Sequence, residues 1–271
     1  MRWEHLTPPD FTRAVQETKL CVVPFGSLER HGDHLPYGTD GIIVHTIACR
    51  AAEIEPCVVF PHWWYGQIHE AGCYRGSINF PPDFQITLLG HLMDQIASNG
   101  FEKILILNGH GGNDNMLQYF AMSNIDKPHD YTLYYAKYYD MDMTEAERAR
   151  MKGLFADAAV AGGHAGADET SLLMACQPGV TKLEYNAFHE PVLPMERFSH
   201  LGRIYSGLWW YAQFPENVTG MPSQADVAKG QVLLDTYAGA AARVIAKVKA
   251  DTTVPALQKE FVARAASRRE V

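Results

Sequence analysis

The sequence predicts an α/β protein, a three-layer α/β/α sandwich around a mostly parallel sheet. Three observations carry this. Apolar runs of strand length alternate with stretches of helical spacing, the order that builds βα units. The clearest strand runs end in loops dense with glycine, histidine and carboxylate, which is where open α/β sheets place ligands. No internal repeat or low-complexity linker interrupts the 271 residues, so one domain over 1–271 is expected, long enough for a substantial core.

Leu20-Cys21-Val22-Val23 is the first strand, and its continuous apolar run suits burial on both faces. Thr39 or Asp40 caps a helix in which Ile43, Ile47, Ala51 and Ile54 keep helical spacing until Pro56 ends it. Cys57 to Phe60 is a second strand. Pro61 to Phe80 is a long loop carrying His62, Trp63, Trp64, Tyr65, His69, Glu70, Tyr74 and Arg75, and loops this long are usually functional. Asp83 caps a helix with Ile86, Leu89, Met93 and Ile96 on its apolar face, stopped by Gly100. Lys103 to Leu107 and Thr132 to Ala136 are further strands. Thr144 to Asp157 reads as helix, with Glu145 and Glu147 near its start where the dipole favours acids. Ser171 to Cys176 is a short helix, and Ser206 to Pro222 is mixed. Ser223 begins the longest helix, with Asp226 at capping-box spacing. A final helix spans about Leu257 to Ala266, and the tail Arg268-Arg269-Glu270 is expected to fray.

Composition narrows the function classes. Hydrophobic residues are 47%, charged residues 20% and the net charge is −8, an ordinary globular balance without the basic footprint of a nucleic-acid binder. No apolar run reaches membrane-spanning length and no signal-peptide pattern opens the chain, so a cytoplasmic protein is expected. The five cysteines are widely spaced, with Cys21 and Cys57 in apolar runs; neither a disulfide framework nor a paired zinc motif is expected. Nothing near Cys73 marks it as an activated thiol.

Three loops hold the chemistry: Glu29 to Asp40, Asn108 to Asp114 and Gly163 to Glu169. Parallel connections would bring them to one rim of the sheet. They pool Glu29, His31, Asp40, His110, His164 and Glu169. Imidazole with carboxylate is the ligand set of zinc, manganese or iron, with less claim on calcium. The set is large enough for two ions sharing one carboxylate, which together could hold a hydroxide and polarise a carbonyl. The bland alternative is a set of solvated polar loops. Another is an anion cradle at the turn beginning at Asn108, although the Lys and Ser/Thr of a nucleotide-binding loop are missing there.

These residues also fall in a known order. Gly26-Ser27-Leu28-Glu29-Arg30-His31-Gly32-Asp33-His34-Leu35-Pro36-Tyr37-Gly38-Thr39-Asp40 resembles the first signature of the creatininase (creatinine amidohydrolase) family. Asn108-Gly109-His110-Gly111-Gly112-Asn113 is similar to its second, Gly163-His164-Ala165-Gly166-Ala167-Asp168-Glu169-Thr170-Ser171 to its third, and Asn217-Val218-Thr219-Gly220-Met221-Pro222 to its carboxyl-terminal pattern. The resemblance implies a creatininase-like fold and a binuclear zinc, manganese or iron hydrolase. It implies that Glu29 and His110 hold one ion, His31 and Glu169 the other, and that Asp40 bridges. His164 would be the acid–base group. Homo-oligomers, commonly hexamers, are implied as well, with a small-molecule substrate and neither nucleic acid nor membrane as partner.

Two departures bear on the substrate. Creatinine-cleaving members carry a glutamate two residues after the second-motif histidine, where this chain has Gly112. In the middle loop, Arg75 stands where it could face an anionic or hydroxyl-rich substrate, and Trp63, Trp64, Trp209, Trp210 and the Tyr134-Tyr135 and Tyr138-Tyr139 pairs could wall a pocket or an interface. The expected reaction is hydrolysis of a C–N bond in a cyclic amide or formamide. The alternatives are ring opening of a cyclic keto-polyol and a non-catalytic small-ligand binding protein.

Overall fold

The computed structural model describes residues 1–267. In chain order the elements are α1 (Pro8–Thr18), β1 (Leu20–Phe25), α2 (Thr39–Ile54), β2 (Val58–Val59), α3 (Pro82–Ser98), β3 (Lys103–Asn108) and α4 (Asp114–Ser123). They continue with β4 (Thr132–Lys137), α5 (Glu145–Met151), α6 (Ala158–Ala161), α7 (Ala167–Cys176), α8 (Trp209–Gln213), α9 (Val227–Ala250) and α10 (Thr253–Ser267). The expected fraying tail lies outside the described residues.

The sheet is wholly parallel, in the order β2-β1-β3-β4. Every residue of β1 is buried, as a strand covered on both faces must be. Its side chains alternate between two cores. Leu20 and Val22, with Leu105 and Leu107 of β3, meet α2, α7 and α9 through Ile43, Ile47, Leu173, Leu233 and Ile245. Cys21, Val23 and Phe25, with Ile104 and Ile106, meet α1, α3 and α4 through Val15, Leu89, Met93, Leu117 and Phe120. These are the three layers that the alternation of elements predicts. Gly230 of α9 sits so close to α7 that a Cβ there would fall 1.8 Å from the Ser171 carbonyl oxygen, so glycine sets that helix–helix approach.

Register positions the functional rim. Phe25 pairs with Asn108 and Asn108 with Lys137, so β1, β3 and β4 end level and their following loops leave on one side.

Several boundaries differ from expectation. β1 runs on to Phe25, and β2 is shorter than Cys57 to Phe60. α1 and α4 were not expected, and α10 starts at Thr253 rather than near Leu257. The helix expected to reach Asp157 stops at Met151, held at its start by a capping box between Thr144 and Glu147. Ser223 does not begin α9: it lies in a 3₁₀ turn over Pro222–Gln224, and Asp226 is the cap, its Oδ1 accepting from the Ala228 and Lys229 amides. Cys21 and Cys57 are buried, Cys73 is exposed, and all five cysteines are free. Among the described residues no helix is long and apolar enough to cross a membrane.

Candidate metal centre

The six side chains singled out from sequence meet at this rim. Glu29 and His31 lie on the loop after β1. Asp40 follows in the first turn of α2, and His110 follows β3. His164 lies on the glycine-rich bend before α7, whose first turn carries Glu169. That helix starts four residues earlier than expected, so Asp168 and Glu169 belong to it. Asp40 and Glu169 thus both stand at helix N-termini, where the dipole favours a carboxylate. Glu29, His31, Asp40 and His110 are almost wholly buried.

Asp40 sits at the middle. Its Oδ1 is 3.2 Å from His31 Nε2 and its Oδ2 is 3.1 Å from His110 Nδ1. Glu169 Oε2 approaches His31 Nε2 to 3.5 Å, and Glu29 Oε2 approaches His110 Nδ1 to 3.0 Å. Two triplets therefore form, Glu29–Asp40–His110 and His31–Asp40–Glu169, each with ligand atoms within 4.8 Å of one another and with Asp40 common to both. A third grouping joins Glu29, His31 and His164. The His164 ring lies 4.2 Å from that of His31, and its Nε2 is 3.6 Å from Glu29 Oε1.

Hydrogen bonds from outside fix the orientation. Ser27 Oγ donates to Asp40 Oδ2 at 2.5 Å, the Ala165 amide donates to Glu169 Oε2 at 2.6 Å, and Asn217 Nδ2 donates to Glu29 Oε1 at 3.0 Å. His31 Nδ1 lies 3.1 Å from the Glu29 carbonyl oxygen and His110 Nε2 lies 3.0 Å from that of Gln67. A carbonyl oxygen only accepts, so these nitrogens carry the protons and the opposite nitrogens face the carboxylates. Ligating histidines are commonly held this way. Glu29 Oε2 is fully buried with no hydrogen-bond partner, 3.0 Å from His110 Nδ1. A cation in place of a proton between that oxygen and the ring nitrogen would satisfy both. The donor set fits two divalent ions.

Electrostatics follow from crowding. Burial opposes charge on both histidines, yet Asp40 and Glu169 raise His31 to about 10, while Glu29 and Asp40 hold His110 well above the usual imidazole range. Burial raises Glu169 to about 8, with Asp40 repelling and His31 opposing the shift. Burial lowers His164 to about 4, with Glu29 opposing and His31 adding to the shift.

The centre opens on a cavity of about 610 Å³. Tyr138, Tyr139, Trp209, Trp210, Phe214 and Tyr237 wall it, and among the described residues no Lys or Arg lines it. Arg75 is exposed and does not line the cavity. Trp63 stacks on Phe25, Trp64 stacks on His62, and Tyr134 donates to Asp251; none of the three lines the cavity. Sequence reasoning did not single out Ser27, Gln67 or Asn217 as supports. Asn217 falls in the carboxyl-terminal pattern, which was the available signal.

Fold and site together define a parallel α/β/α protein with a buried carboxylate–imidazole cluster fit for a pair of cations. Residues 4–245 match the sequence model of the creatininase family, described as creatinine amidohydrolase. The chain belongs to the creatininase family. A 3-dehydro-scyllo-inosose hydrolase of Thermotoga maritima is 29% identical over 111 residues, 40% of this chain but only 35% of that protein. The creatinine amidohydrolase of Pseudomonas putida is 25% identical over 189 residues, 64% of this chain and 70% of that protein. A mycofactocin precursor peptide peptidase of Mycolicibacterium smegmatis is 33% identical over 100 residues, 35% of this chain and 40% of that protein. A solved manganese creatininase superposes with a TM-score of 0.70 at 18% identity, over 92% of this chain and 99% of its own. A creatininase variant of Zn–Zn type gives 0.69 at 19% identity, over 92% and 98%. Those structures share the fold.

Proposed function

We propose that this chain is a binuclear metal-dependent hydrolase that cleaves a C–N bond in a small cyclic amide or formamide. The observation that carries the reading is Asp40, which turns one carboxylate oxygen toward each triplet. Glu29 and His110 would hold one ion, His31 and Glu169 the other, with Asp40 between them. The solved manganese and Zn–Zn creatininases support zinc or manganese as occupants, and iron fits the same donors. Bound there, the pair would supply Lewis acidity and a nucleophilic hydroxide at neutral pH.

The protein's own groups do the rest. His164 lies on the cavity wall with its Nε2 3.3 Å from the Arg30 carbonyl oxygen, placed to pass a proton to a departing nitrogen. Trp210 meets that ring edge-on at 5.2 Å and holds its plane. The aromatic walls exclude water and accept a flat ring.

Ring opening of a keto-polyol is the second reading, supported by Gly112 in place of a glutamate and by the likeness to the Thermotoga hydrolase. Metal analysis followed by a panel of lactams, formamides and keto-inositols separates the two. A native protein that takes up no divalent ion would refute both. A protein that binds metal and turns over nothing on the panel would favour a binding role. A single domain, a homo-hexamer and a cytoplasmic location complete the proposal. Exposed Tyr119, Met122, Leu257 and Phe261 offer apolar surface for self-association, which sedimentation would measure.

A further inference from the structure

The loop between β2 and α3 makes one contact to the cluster that the ligand set does not explain. Its Gln67 carbonyl oxygen lies 3.0 Å from His110 Nε2. The residue carrying that oxygen is fastened on all sides. The Gln67 amide donates to Asn113 Oδ1 at 2.8 Å. The Gln67 side-chain Nε2 donates to both oxygens of Glu70, at 3.1 and 2.9 Å, and to the Gly112 carbonyl at 2.6 Å. The His69 amide donates back to Gln67 Oε1 at 3.2 Å.

Glu70 is the charged member of this clamp. It is mostly buried on the cavity wall, and among the described residues no Lys or Arg lines that cavity to neutralise it. Its Oε1 stands 3.9 Å from His110 Nε2, the ring nitrogen held by the Gln67 carbonyl oxygen. Bracing that side of the ring turns Nδ1 inward. Nδ1 is the nitrogen that faces Glu29 and Asp40. Gly112 makes room for the arrangement. A Cβ on it would lie 2.1 Å from Glu70 Oε1, 2.4 Å from His110 Nε2 and 2.8 Å from Gln67 Nε2. Any side chain at 112 would have to displace the clamp.

We propose that Glu70 is a positioning residue: through Gln67 it fixes the orientation of the His110 ring, and Gly112 is the vacancy that admits it. The inference rests on the metal-centre reading above. It also gives Gly112 a role in holding the ligand set, beyond any effect on substrate choice.

The test uses the full chain, stripped with chelator and reloaded with Zn²⁺ in competition with a chromophoric chelator. Glu70→Ala and Gly112→Ala should each weaken one of two ions by roughly 10–100-fold, the usual effect of losing such a support, and leave the other unchanged. Glu70→Gln should recover most of that loss, because its amide oxygen still accepts from Gln67. Nitrogen-15 spectra of the imidazoles should show His110 of the Zn²⁺-loaded native protein protonated at Nε2 and not at Nδ1. A loaded native protein with His110 protonated at Nδ1 instead overturns the proposal even if every variant fails to fold. So does native-like affinity for both ions in Glu70→Ala and Gly112→Ala with only turnover changed, which would make Glu70 a substrate contact. A native protein that loads no Zn²⁺ at all signals the separate failure of the metal-centre reading.

Discussion

Asn217 supports the cluster from the far end of the chain, and its replacement has a calculable cost. Nδ2 donates to Glu29 Oε1 at 3.0 Å and also to the Arg30 carbonyl; Oδ1 accepts from the Trp210 indole at 2.5 Å. The residue is fully buried, and its φ of 54° is left-handed, where Asn is tolerated better than Ala. Asn217→Ala leaves a carboxylate oxygen and an indole N–H unpaired, at about 1–3 kcal/mol each. The strained backbone adds roughly 1 kcal/mol. Allowing for shared relaxation, the expected loss is about 3–5 kcal/mol, a large fraction of typical domain stability. Urea unfolding measures it as a lower midpoint at unchanged slope. Asn217→Gly removes the backbone strain alone and should be about 1 kcal/mol more stable than the Ala variant. An Ala variant within about 0.5 kcal/mol of native, the range of an ordinary surface substitution, would refute the reasoning.

Asp40→Asn should strip both ions, not one, because Asp40 belongs to both triplets; elemental analysis showing one ion fully retained would argue against sharing. His164→Gln should keep the metal content and lower turnover by about 10²–10⁴-fold; unchanged turnover would remove His164 from proton transfer. Glu147 accepts from Arg243 at 2.8 and 2.6 Å and from the Thr144 amide at 2.7 Å, and the Arg243 pairing, against the opposing effect of burial, lowers it from 4.5 to about 2. Its folded value is depressed, so its stabilisation is complete above 4.5 and is lost as pH falls toward about 2. Glu147→Gln should therefore be about 1–3 kcal/mol less stable than native at neutral pH. That gap should shrink as urea unfolding is repeated at progressively lower pH below 4.5, and a gap independent of pH would contradict the assignment.

The parts legible in sequence are those with short-range signatures. β1 and β3 are unbroken apolar runs, and Glu29, His31 and Asp40 fall within twelve residues of one another on the loop and helix start after β1. The parts that were not legible depend on distant partners or on weak periodicity. α4 buries only Leu117 and Phe120 while exposing Tyr119 and Met122, so its apolar spacing is blurred. α1 opens on Pro8-Pro9, which fits a helix start but breaks the pattern that announces one. Ser223 has capping-box spacing, but the turn beginning at Pro222 leaves Asp226 as the residue that caps. Gln67 and Asn217 are single amides whose partners lie 43 and 188 residues away, and no local pattern marks such residues.

This division also separates chemistry from selectivity along the chain. The candidate ligand atoms come from the loops after β1 and β3 and the first turns of α2 and α7, beside elements fixed by the sheet and its two cores. Much of the wall around them comes from later, mostly irregular stretches: Val192, Leu193 and Pro194, then Trp209, Trp210 and Phe214. Such segments change with less cost to the core than the strands do. A family whose matched members include a creatinine amidohydrolase, a keto-inositol hydrolase and a peptide peptidase is what that separation allows. Exchanging 192–214 between two members should then move substrate preference and leave metal affinity in place. Loss of the metals on exchange would mean that the walls and the cluster are one cooperative unit.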